Sequence, residues 1–249
     1  MKTDEVLTVG RGGLKGFVNW SVPALAKGML PGLIAGVIAG GLGSRLAMRI
    51  MAVTSAPAAT GLQTDAGATV GEITGPGTVF LLILGGVLGI AGGLAYLALR
   101  GLLPGKGWWI QGLAFGVLVL ALAGRFLVEP HNPDFLILSP AGLAVAMFAA
   151  LPIVFGLLFV PLHRWLEPAI GRVRRPLLLL PGVLLGLAPL IFIGGVGVLV
   201  VAGVLLLWSL GPLIREQGKR ALRTGGSVLV GGLAIWRGAL FVIGVADIL

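Results

Sequence analysis

Four arginines stand inside or at the edges of long apolar stretches, where a guanidinium group needs a partner. Arg45 and Arg49 close the stretch 31–53, PGLIAGVIAGGLGSRLAMRIMAV; Arg125 nearly ends 108–128; Arg237 lies within 227–246. At the centre of a bilayer-spanning helix an arginine costs about 2.5–3.5 kcal/mol on insertion scales, which makes such residues candidates for function. At 1.5 Å of rise per residue, Arg45 lies roughly 20 Å and Arg49 roughly 27 Å beyond Pro31, and Arg237 roughly 15 Å along its own stretch. Spaced four apart, Arg45 and Arg49 share one helix face. The connections expected at that same end hold Glu72 in GATVGEITGPG, and Glu129, His131 and Asp134 in VEPHNPDF.

These residues predict an external cluster of arginines facing carboxylates, with His131 beside it. One chemistry is ion pairing that ties outer loops to helix ends. The other is a small polar cavity open to the outside, able to admit an anionic or polar solute. Arg237 has no carboxylate at matching depth on another stretch, so its acceptor must be a backbone carbonyl, an inward-dipping loop residue or a ligand.

Other activities fall away on residue type. The chain has no cysteine and two histidines, His131 on the outer side and His163 on the inner, so neither a zinc site of ordinary ligands nor bis-histidine haem ligation is expected. Every lysine lies outside the apolar stretches, against a retinal Schiff base. GGLGSRL lacks the strand-to-helix setting of a phosphate loop. No carboxylate falls mid-stretch, against a proton relay of the pump type. No cofactor and no catalytic residue is assigned. An enzyme acting on lipid would have to use Glu72, Asp134 or His131 as acid or base, and the reading leans away from an enzyme.

The elements that would position these residues are legible from composition. Of 249 residues 57% are apolar and 11% charged, far from the roughly 45–50% and 25% of soluble domains. The expected fold is all-α: a polytopic integral membrane helix bundle. About 20 residues cross the hydrocarbon core, which gives about seven spans, near 31–53, 77–99, 108–128, 138–162, 177–193, 196–211 and 227–246. The pair 177–193 and 196–211 is short, with Pro181, Pro189 and Gly194 offering breaks. Residues 1–30, with Trp20 and Lys27, read as a cytoplasmic interfacial segment ahead of a single transmembrane domain, 31–249, with no cleaved signal peptide.

Apart from the four arginines above, every Lys and Arg falls on alternate connections: 1–30, 100–107, 163–176 and 212–226. Basic residues mark the cytoplasmic side, which places the N-terminus inside and the C-terminus outside a cell (plasma or inner) membrane. The net charge of +9 is thereby read as topology rather than nucleic-acid binding. IREQGKRALRTGG, before the last span, reads as a short interfacial helix on an anionic leaflet. The connection 54–76 is built of small residues and reads either as an exposed loop or as a re-entrant element.

Glycines recur four apart in several stretches: Gly32, Gly36 and Gly40; Gly85, Gly89 and Gly93; Gly112 and Gly116; Gly182 and Gly186. Such spacing lets helix backbones approach closely. The functional expectation is a non-enzymatic subunit or scaffold packing with other membrane proteins or with its own copies in the lipid bilayer. The alternative is a permease or binding component for a small polar or anionic solute, using the arginine cluster.

Overall fold

The structure, a computed structural model, describes residues 13–54, 74–105, 107–127, 140–173, a few positions between 179 and 187, and 216–248. Every regular element among them is helical. The first helix, α1, runs Gly13–Gly36, passes through a π-helical stretch Val37–Leu42, and continues as α2, Gly43–Thr54. Then follow α3, Gly75–Leu99, α4, Trp108–Leu127, α5, Ala141–Gly171, and α6, Glu216–Ala246. Three continuous helical segments are long and apolar enough to cross a bilayer: Ser21–Thr54, Gly75–Leu99 and Ala141–Gly171. Shorter apolar runs lie in α4, Trp108–Gly124, and in α6, Val230–Ala246. The expected span 196–211, most of 177–193 and most of 54–76 lie outside the described residues.

Helix ends differ from the sequence reading in three places. α1 begins before Pro31, because proline removes one intrahelical bond without ending a helix whose freed carbonyl finds another donor. α5 runs on past residue 162, carrying Pro161 and Pro168 within it. In α6 the basic piece and the apolar piece form one rod, since a Gly-Gly pair such as Gly225–Gly226 weakens a helix by about 1 kcal/mol per glycine and does not stop it.

The helices pack by backbone contact along two seams. Gly28, Gly32 and Gly36 of α1 meet Gly93, Gly89 and Gly85 of α3, each step of four along one helix matched by a step of four back along the other. A Cβ placed on Gly36 would lie 2.6 Å from the Cα of Gly89, backbone that cannot yield. Past Gly36 the match changes: Gly40 lies against Gly85 and Gly41 against Leu82. The π stretch supplies this shift, and the hydroxyl of Ser44 donates to the Gly40 carbonyl within it. In the second seam Gly156 of α5 enters between Gly112 and Gly116 of α4, where a Cβ on Gly116 would lie 2.7 Å from the Cα of Ile153. Two sets seen as separate glycine repeats in the sequence are thus the two sides of one contact. No atom of the described residues lies within 4 Å of a Cβ placed on Gly182, and Gly186 meets the side chain of Met29.

Size is sorted across the helices accordingly. Glycine faces inward, while Leu30, Ile34, Ile38, Leu42 and Leu46 form an exposed stripe along α1 and α2, and Phe80 and Ile83 stand exposed on α3. Bulky apolar groups outside and small ones inside is the arrangement expected of helices in lipid, where association rests on close packing rather than on escape from water. α3 is antiparallel to α1, and α5 to α4; α6 runs parallel to α4, Gly238 beside Ala121 and Phe241 beside Gly124. One end of the bundle therefore gathers Lys27, Arg100, Gln111 and Arg164. The opposite end gathers Met51, Ala144 and Val245.

Candidate functional site: a polar clamp at the basic end

Proline 31 creates the site's first requirement. In an α-helix the carbonyl of residue 27 accepts from the N–H of residue 31, and Pro31 has none. The Lys27 carbonyl, partly buried between helices, would be left open at a cost of about 1 kcal/mol or more. His163 of α5 closes it: Nδ1 lies 2.8 Å from the Lys27 oxygen. A carbonyl only accepts, so Nδ1 carries the hydrogen.

The other ring nitrogen is aimed by the same bond. His163 Nε2 faces Oε2 of Glu167, one turn along α5, at 3.6 Å. The second oxygen, Oε1, lies 3.6 Å from Lys27 Nζ and 3.7 Å from Arg100 Nη1 at the end of α3. Glu167 thus divides its two oxygens, one facing cations from α1 and α3 and one facing the imidazole. Next to it Arg164 donates to Oε1 of Gln111 on α4 at 2.8 Å, and Gln111 Nε2 donates to the carbonyl of Gly105 at 2.9 Å. Gly105 has φ +83°, the left-handed conformation open to glycine. The α3–α4 connection is in this way joined to the same clamp.

His163 is 3% exposed despite its neighbours' charge. Phe159 stacks on the imidazole at 5.7 Å and 9°, and Tyr96 meets it edge-on at 5.2 Å. Phe115 and Phe155 continue the aromatic group inward. Aromatic pairs in such geometry contribute about 0.5–1.5 kcal/mol each beyond burial, which fixes the ring plane. Around it Trp108, Trp109 and Trp165 are exposed, and tryptophan is a residue enriched where membrane helices meet water.

Of the residues singled out from sequence, Arg45, Arg49 and Arg237 have described side chains. Arg45 donates to the carbonyl of Thr74, the N-cap of α3, at 3.3 Å, and its Nε is buried with no hydrogen-bond partner among the described residues. Arg49 is exposed on α2. Arg237 donates through Nε to the Leu122 carbonyl of α4 at 3.2 Å, so a backbone carbonyl supplies the acceptor that its depth demands. The backbone of Arg125 belongs to α4, but its side chain lies outside the described residues, as do Glu72, Glu129, His131 and Asp134 in full. Comparison with family models, curated proteins and solved structures finds no match.

The clamp was missed in the sequence, where His163 reads as a loop residue and Glu167 goes unremarked among the arginines around it. Two spacings carried the signal: His163 and Glu167 four apart, and Lys27 four before Pro31. The first puts imidazole and carboxylate on one helix face; the second leaves an open carbonyl beside them.

Proposed function

We propose that the chain is a non-enzymatic multi-pass protein of the cell membrane, with about seven crossings, serving as a subunit or scaffold that packs with other membrane proteins. The observation that carries this reading is the pair of glycine seams. Backbones in contact along Gly28–Gly93 and Gly112–Gly156 leave no passage for a solute between those helices, while the bulky apolar side chains stand outward, available to lipid or to a neighbouring helix. Support for an even number of crossings between α5 and α6 comes from direction: α5 runs towards the basic end, and α6, parallel to α4, leads away from it. Lys27, Arg100 and Arg164 gathered at one end favour a cytoplasmic assignment for that end.

Extraction into polymer-bounded native bilayer, followed by mass measurement, tests the role. The expected result is a defined complex heavier than the 25.4 kDa chain. A single chain in every preparation would overturn it.

One observation favours a second reading, a binding component for a small anion or polar solute at the opposite end. Arg45 Nε is a buried donor without an acceptor among the described residues, in a residue four from Arg49. Under that reading, Arg45→Ala abolishes solute uptake into vesicles without loss of folded protein.

A further inference from the structure

We propose that His163 and Glu167 form a one-proton site reached from the basic end, whose occupancy sets how firmly α5 grips α1. With Nδ1–H committed to the Lys27 carbonyl, a neutral His163 has a bare Nε2. That lone pair faces Glu167 Oε2 at 3.6 Å. Two acceptors opposed across this gap repel until a hydrogen is placed between them. A proton taken from water by Nε2 turns the contact into a charge-assisted one, and the same charge strengthens the Nδ1–H bond to Lys27. Deprotonation returns the proton to water and weakens both.

The charged and titratable groups facing the ring are Lys27 from α1, Tyr96 and Arg100 from α3, and Arg164 and Glu167 from α5; on α4 the facing polar group is the neutral Gln111. Burial opposes a further positive charge most, the Lys27 carbonyl and Glu167 favour it, and the cations Arg100 and Lys27 oppose it. Because Glu167 Oε1 is shared by Lys27 and Arg100, Oε2 is the acceptor left for the imidazole. Access runs through the carboxylate: the Glu167 side chain is 37% exposed, that of His163 4%. Pro31 is the architectural cause, since without it an N–H of α1 itself would occupy the Lys27 carbonyl.

The test uses full-length protein in lipid nanodiscs with nitrogen-15 histidine and carbon-13 lysine carbonyls. His131→Asn leaves one imidazole in the chain. In alkaline solution Nδ1 should be protonated and Nε2 bare, and in acid both should be protonated. The carbonyl resonance of Lys27 should move with the same midpoint. Glu167→Gln should shift that midpoint by about half a pH unit or more, as expected when an opposite charge within a few ångströms is removed. Pro31→Ala should raise the population of the neutral form protonated at Nε2. An alkaline form protonated at Nε2 in the parent, a midpoint indifferent to Glu167→Gln, or a Lys27 carbonyl that does not follow the titration would each overturn the proposal. Should Glu167→Gln fail to fold, Glu167→Asp, which keeps the charge but withdraws it by one methylene, replaces it and is read by the same midpoint.

Discussion

The two ends of the bundle solve the same electrostatic problem by different means. At the basic end Lys27, Arg100 and His163 converge on Glu167. At the opposite end Arg45 and Arg237 each reach a main-chain carbonyl, of Thr74 and Leu122. A carboxylate can be shared among several cations and can answer to a change of protonation beside it. A carbonyl does neither: it gives a guanidinium a fixed acceptor and holds two helices at a set height. By the contacts among the described residues, the first end can respond and the second holds its place.

Three substitutions sharpen or break that contrast. His163→Ala should cost the most, about 3 kcal/mol, because it empties a buried aromatic site and leaves the Lys27 carbonyl unsatisfied. Detergent-titrated unfolding measures it, and a loss no greater than that at Arg237 would erase the distinction. Arg237→Ala should cost at least about 1 kcal/mol, the net value of its hydrogen bond to the Leu122 carbonyl, through weakened α4–α6 contact. Arg49→Ala, at an exposed position, should fall within about 0.5 kcal/mol of the parent in the same assay; a larger loss would mean that the opposite end, too, contains a network.

How much of this was readable in advance depends on whether a feature is local. Composition and run length were enough for apolar helices, because a helix in lipid must be apolar over a fixed length. The arginines were found because charge inside an apolar run is conspicuous. The glycine sets were found too, but not that Gly32 and Gly36 face Gly89 and Gly85, since spacing along one helix does not choose its partner. Helix ends were less legible. Pro31 and Gly225–Gly226 resemble boundaries, yet each is carried through, the first because His163 supplies the lost bond from another helix. His163 itself escaped notice for the converse reason: its burial depends on α5 continuing to Gly171 and on an acceptor created 136 positions earlier in the chain.

The surplus residue held in Val37–Leu42 acts as a phase correction between two otherwise regular rods. Were ordinary winding restored there with every residue kept, everything downstream would swing by about 100° about the axis. The Arg45 guanidinium would be carried away from Thr74, while Gly28, Gly32 and Gly36 kept their places opposite α3. The upper and lower halves of this long helix are in that sense adjustable independently, so that the stationary end could be re-aimed without disturbing the end that titrates.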